Sequence, residues 1–257
     1  GRGETRARPM TLPWFEVDWP APHGVRALST LRGDARSGAS KAPYGCFNLG
    51  HHVGDDPAAV TENRRRLKVA AGLPSEPDWL SQVHGIRVAE LDSPAAAGPA
   101  DAAIARRSAK VCAILTADCL PILFASDSGD TVAAAHAGWR GLAAGVIEAT
   151  VQAMGTPPGS VVAWLGPAIG PQHFEVGAEV REAFLAADPN SGEAFESNPH
   201  GRFMADLGML ARRRLQRLGV SRIYGGGECT YTHADRYYSH RRDGITGRQA
   251  TLIWREG

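Results

Sequence analysis

The sequence predicts a mixed α/β fold built as a single domain. Three observations predict it. Short apolar runs are bounded by turn residues, longer stretches between them carry helical patterns, and no linker is long enough to divide the chain. The first helix is expected over residues 58–71, a run dense in Ala, Glu, Arg, Lys and Leu, all favourable in helices. Compact apolar segments at 111–115, 121–125 and 131–135 read as three successive buried strands. A helix follows over 141–154, entered through a glycine-containing turn, and then a strand at 161–165. Apolar residues at helical spacing mark helices over 177–187 and 206–218, with further strands at 222–225 and 250–254. The order is not the strict βαβα of a dinucleotide-binding fold. No G-x-G-x-x-G follows a strand, and Gly225-Gly226-Gly227 leads into Glu-Cys-Thr, not into a helix.

The most linker-like stretch, residues 92–99, is rich in Pro, Ala and Gly but short. One catalytic domain is therefore expected over residues 11–257. Residues 1–10 read as a disordered or vector-derived leader, with Met10 as a candidate natural start.

Of the 257 residues, 43% are hydrophobic and 21% charged, the profile of a globular chain with a sizeable core. A net charge of +1 gives no reason to expect a nucleic-acid partner, and the arginine runs at 64–66 and 212–214 fall in helices, where solvated faces are the ordinary reading. The expected partner is a small molecule. Residues 1–9 contain no apolar signal-peptide core, and no run of about eighteen apolar residues could span a membrane. Cys46, Cys112, Cys119 and Cys229 include no CxxC pair and are too scattered for a disulfide framework, which points to a reducing compartment and the cytoplasm.

The residues able to do chemistry lie between 80 and 145. His84 precedes a glycine at a turn, Cys119 sits in the break between two strands, and His136 closes a third strand before Gly138-Trp139-Arg140-Gly141. Strand ends are where a rigid scaffold presents reactive groups. One thiolate and two imidazoles suit zinc, and three protein ligands leave a coordination position open for water or substrate. Spacing alone does not separate this from ordinary roles, a buried cysteine as a small hydrophobe and turn histidines bonded to carbonyls. The same His2Cys set suits copper, although no His-x-His pair of a trinuclear copper cluster is present. A metal-free hydrolase, with Cys119 as nucleophile and His136 as base, is a third reading.

Phe47-Asn48-Leu49-Gly50, Asn63-Arg64-Arg65-Arg66-Leu67, Gln82-Val83-His84-Gly85, Ala100-Asp101-Ala102, Ala117-Asp118-Cys119-Leu120-Pro121, Ala135-His136-Ala137-Gly138-Trp139-Arg140-Gly141, Leu165-Gly166-Pro167-Ala168-Ile169-Gly170 and Thr246-Gly247-Arg248 occur in that order. Together they resemble the YfiH/YlmD family, called multicopper polyphenol oxidoreductase or laccase-domain proteins and also purine nucleoside phosphorylases. The resemblance runs from about residue 12 to 254. It implies a four-layer α/β/β/α architecture, zinc held by His84, Cys119 and His136, and a nucleoside site beside the metal. It also implies phosphorolysis of adenosine, inosine and methylthioadenosine, with some adenosine deamination. The copper-dependent polyphenol oxidase of the older name and an editing role on peptidoglycan precursors are the alternatives it carries.

With that implied chemistry, Asn48, Arg65 and Gln82 are expected to contact substrate, and Arg140 to neutralise phosphate or fix the His136 loop. Each also has a structural reading, as a turn residue, a solvated helix residue or an ion-pair partner. Asp118 is expected to carry a proton or support a ligand histidine, although an extended segment would point it away from Cys119. Arg241, Arg242, Asp243 and Arg248 form a charged cluster suited to tethering a loop or to catalysis. Two departures from the family pattern stand out, Ala105-Arg106-Arg107-Ser108-Ala109 and His173-Phe174. The cysteine missing at the second argues against a second metal site that would use it.

Overall fold

The computed structural model describes residues 13–96 and 98–257; the leader expected at 1–10 lies outside them. The chain runs β1 (Trp14–Glu16), β2 (Val25–Thr30), α1 (Pro57–Ala71), β3 (Asp78–Trp79), β4 (Val88–Glu90), β5 (Ala102–Ala105), β6 (Val111–Thr116), β7 (Leu120–Ser126), β8 (Val132–Ala137), α2 (Trp139–Ala144) and α3 (Val146–Met154). It continues with β9 (Val161–Leu165), β10 (Glu175–Val176), α4 (Ala178–Leu185), β11 (Phe195–Ser197), β12 (Phe203–Ala205), α5 (Leu207–Leu218), β13 (Arg222–Gly225), α6 (His240–Asp243) and β14 (Gln249–Arg255).

These strands form a five-stranded sheet in the order β1-β2-β14-β6-β3, a six-stranded sheet in the order β13-β9-β7-β8-β5-β4, and a small sheet β10-β12-β11. Alternation along β6 shows how the large sheets stack. Val111, Ala113 and Leu115 pack with Leu28, Leu252 and Leu67 of α1, whereas Cys112 and Ile114 pack with Leu123, Ala125 and Val162 of the six-stranded sheet. On that sheet's other face, Ile122, Phe124 and Ala135 meet Val146 and Ile147 of α3 and Leu210 and Leu215 of α5. The layers are thus helix, sheet, sheet, helix, as the family resemblance implies. Strands buried on both faces explain why the sequence shows continuous apolar runs and not alternation.

Helix ends follow their local chemistry. Asp56 accepts a hydrogen bond from the Ala58 amide before α1, Asp206 does the same for Met209 at α5, and Gly72 and Gly219 close these helices in the left-handed conformation. The helix expected over 141–154 is instead two, because Gly145 adopts φ of 108° and breaks the ladder between α2 and α3. Strands β1, β3, β4 and β10–β12 are only two or three residues long, too short to leave a periodic signal. Among the described residues, no helix is long and apolar enough to cross a membrane.

Gly145 therefore marks a position where an L side chain is strained although space is available, since an added Cβ would meet only the Glu148 side chain, Oε2 at 3.5 Å and Cδ at 4.0 Å. Gly145→Ala is expected to lower stability by about 1–2 kcal/mol in urea unfolding. An unchanged midpoint would refute the conformational explanation.

Candidate metal centre

Strand register assembles the site. In the six-stranded sheet Pro121 pairs with His136, and Ala102 pairs with Ala135. Cys119, one residue before β7, and Asp101, one residue before β5, therefore flank the end of β8 that carries His136. His84 arrives from the turn between β3 and β4, a region of the chain 35 residues before Cys119. Its Nε2 lies 3.9 Å from Cys119 Sγ, and the ligand atoms of His84, Cys119 and His136 all lie within 4.8 Å of one another. A tetrahedral zinc with bonds of about 2.0–2.3 Å separates its ligands by about 3.5 Å, so small side-chain movements would close this set around one ion. His136 is buried, Cys119 is half-buried and His84 is exposed, which leaves the His84 side accessible to a small molecule.

Two local features fit the set to a metal. Gly138 approaches so closely that a Cβ there would stand 2.9 Å from His84 Cδ2 and 3.0 Å from Cys119 Sγ. Only glycine leaves the ligands their space. His84 itself has φ of 62°, a left-handed conformation that a β-carbon disfavours, and its amide is held at 2.8 Å by Asp101 Oδ1.

Asp101 organises the centre, a role that its motif alone does not reveal. Its carboxylate accepts the amides of Val83 at 3.1 Å, His84 at 2.8 Å and Gly85 at 2.8 Å, and it bonds Nδ1 of His136 at 2.8 Å. Its backbone carbonyl accepts the His136 amide at 2.6 Å. One buried carboxylate thereby orients two ligands and leaves Nε2 of His136 for coordination. Burial pushes the Asp101 carboxyl up, but the His136 ring and the Gly85 and Val83 amides outweigh it and hold it below the usual carboxylate range.

The same electrostatics act on the thiol. Burial would raise Cys119, yet the charges and hydrogen bonds of His136 and then His84 bring it down to about 6. Burial would lower His136, and the Cys119 thiolate and Asp101 raise it to about 9. Each group thereby favours the charged form of the other, a thiolate beside an imidazolium.

The other expected site residues are placed as follows. Asn48 is fully buried; its Oδ1 accepts the Gly50 and Arg248 amides, and its Nδ2 donates to Asp55. Gln82 makes a strand-like pair with Leu115, donating to its carbonyl and accepting its amide, both at 2.8 Å. Arg65 lies on the surface of α1 in a bidentate ion pair with Glu62. Arg140 is exposed at the start of α2, its guanidinium 4.5 Å from the Trp139 ring centre.

Asp118 does not adopt the extended conformation considered for it. At φ of 96° its carboxylate accepts the Thr230 hydroxyl and the Arg241 amide, both at 2.7 Å, so support of a ligand histidine falls to Asp101. In the charged cluster, Arg242 donates to the carbonyls of Thr230, Tyr231 and Tyr237 and tethers that loop. Arg248 belongs to different surroundings, within electrostatic range of Cys119.

Comparison with known proteins adds an independent line. Residues 27–256 match the model of a family described as multi-copper polyphenol oxidoreductase laccase. A purine nucleoside phosphorylase of Pseudomonas aeruginosa is 54% identical over 94% of this chain and 98% of its own length. The purine nucleoside phosphorylase YfiH of Escherichia coli is 52% identical over 92% and 96%. A crystal structure of a Neisseria meningitidis protein superposes with a TM-score of 0.90 at 46% identity, covering 95% of this chain and all of that one.

Two outcomes follow from the centre's geometry. Asp101→Asn should weaken zinc binding about 10- to 100-fold in competition with a chromophoric chelator; unchanged affinity would remove Asp101 from its organising place. In metal-free protein, the rate of Cys119 alkylation should rise through a midpoint near pH 6 and level off above it, because the thiolate is the reactive form. A midpoint in the ordinary thiol range would contradict the pairing with His136.

Proposed function

The chain belongs to the multi-copper polyphenol oxidoreductase laccase family, the YfiH/YlmD group, and from that membership we propose that it is a zinc-dependent purine nucleoside phosphorylase. Its substrates in this reading are adenosine, inosine and methylthioadenosine, with adenosine deamination as a side activity. The observation that carries the proposal is the convergence of His84, Cys119 and His136 on one point with the His84 side open. A closed structural zinc site uses four protein ligands, and three with an accessible side suit a catalytic ion. Relatives that share most of their length with this chain bear the phosphorylase name, which supports the reaction class.

In the reaction, a phosphate oxygen forms a bond to ribose C1′ while the bond from C1′ to the purine nitrogen breaks and its electron pair leaves with the base. The proton brought on phosphate departs on the base. Zinc, when bound, supplies Lewis-acid polarisation. The remaining work belongs to the chain. Asp101 holds His136 in one tautomer and fixes the His84 turn, so the ligand set is arranged before substrate arrives. Asn48 ties the Gly50 amide to that of Arg248, and Gln82 is fixed against Leu115. Arg140 follows the His136 loop, is exposed and makes no ion pair with a carboxylate among the described residues, which supports its assignment to substrate in this reading. Four free thiols fit a reducing cytoplasm.

The Cys119–His136–Asp101 line favours a second reading, a metal-free hydrolase in which the thiolate attacks and the imidazolium returns a proton. Copper in place of zinc would retain the ligands but not the reaction. Chromatography of inosine reactions separates these readings. Zinc-loaded wild type should release hypoxanthine only with phosphate, and Cys119→Ala should lose at least about 100-fold of that rate with its fold intact. Phosphate-independent release, or full activity in Cys119→Ala, would overturn the proposal.

A further inference from the structure

Beside the metal centre lies a group of cationic side chains that the expected substrate contacts do not include. The loop Phe47-Asn48-Leu49-Gly50-His51-His52 is its base. Arg64, reaching inward from α1, donates Nε and Nη2 to the Leu49 carbonyl at 3.0 and 2.7 Å, and its guanidinium stacks 4.1 Å from the centre of the Trp79 ring. Arg248 enters from the opposite end of the sequence. Its amide donates to Asn48 Oδ1 at 2.9 Å, its carbonyl accepts the Leu49 amide at 3.1 Å, and its Nη1 donates to the carbonyls of Thr246 and Gly247.

Gly50 shows how tightly these groups converge. A Cβ on it would stand 2.9 Å from Arg248 Cγ and 3.4 Å from His52 Cε1, so the arginine stem and the imidazole approach one another over a residue that has no side chain. Among the described residues, neither Arg64 nor Arg248 forms an ion pair with a carboxylate; Glu76 acts on Arg64, and Cys119 ahead of Asp118 acts on Arg248, only at longer range. Desolvation lowers Arg64 to about 10 and lowers Arg248 and His52 as well, and His52 feels the like charges of Arg248, Arg64 and His136.

Gathering like charges with no carboxylate in contact costs free energy, and such an arrangement is found where a ligand supplies the close opposite charge. Planar guanidinium groups held by carbonyls, with donor edges left over, match the oxygens of a phosphate. We propose that Arg64, Arg248 and His52 form an oxyanion subsite that holds the phosphate nucleophile next to the zinc centre. This subsite rests on the phosphorylase reading and supplies the clamp that a phosphate needs before it can attack a sugar carbon. It also explains the place of Asn48, which ties the Arg248 loop to the Gly50 loop.

Calorimetric titration of zinc-loaded protein with inorganic phosphate, without nucleoside, tests the subsite apart from the reaction. Arg248→Gln and His52→Gln should each weaken phosphate binding about tenfold or more. Arg217→Gln, on α5 in the opposite helical layer, should leave it unchanged. Arg64→Gln should behave like Arg248→Gln. If it loses the zinc or the fold because Leu49 is released, the other two variants decide. Zinc content and thermal melting report the fold in each case.

Equal phosphate affinity in wild type, Arg248→Gln and His52→Gln would overturn the proposal. A parallel titration with inosine 5′-monophosphate separates the sources of the oxyanion. Loss of nucleotide binding with unaltered phosphate binding would also overturn it, by assigning the cations to an esterified phosphate. Phosphate binding that depends on these residues, in a protein that releases no base from nucleosides, would retain the subsite and refute the phosphorylase reading instead.

Discussion

A single buried carboxylate sets the geometry on which the centre depends. Asp101 is completely enclosed, and an ionised carboxylate in such a place is tolerated only when its oxygens are satisfied. The turn at 83–85 supplies three amides and His136 supplies its ring. The need of the anion for donors and the need of the left-handed His84 for an anchor are met by the same contacts. Neither half is stable alone. A turn with three inward amides would leave buried donors without Asp101, and Asp101 would be an uncompensated charge without the turn.

The sheets make that arrangement possible. β5, β7 and β8 are neighbours in one sheet, buried on both faces, so their register cannot slip without exposing apolar side chains. Small residues along β5 and β8, chiefly alanines, let the two sheets and the helices close on them. Rigidity in this layer is transmitted to the residues at its end. Cys119, His136 and Asp101 each sit at or within one residue of a strand terminus, whereas His84, the one ligand on a turn, is also the one that needs a separate anchor.

Much of this was legible in the sequence, for identifiable reasons. The strands at 161–165 and 222–225 stand where their apolar runs predict, and His84, Cys119 and His136 stood out as candidates at strand ends and turns that the family resemblance grouped into one set, which the fold brings together. Asp101 was harder, since its partners come from distant segments. Its signal was an acidic residue directly before an unbroken apolar strand, which argues for a paired carboxylate. The arginine run 64–66 was ambiguous because successive helical residues point about 100° apart. The buried positions Val60, Asn63 and Leu67 fix the rotation of α1, and they turn Arg64 inward and Arg65 outward. The break at Gly145 left no periodic trace, because the apolar spacing of α3 continues across it.

Strand β14 fills the slot between β2 and β6, although more than a hundred residues of chain separate it from either neighbour. During synthesis both neighbours emerge long before their common partner and present bare edges, a state prone to mispairing that holding chaperones exist to shield. Arg248 immediately precedes this last strand. Seating the strand and delivering the guanidinium are thus one event, and a half-finished molecule lacks one of the three cations proposed to hold phosphate, however well His84, Cys119 and His136 are placed.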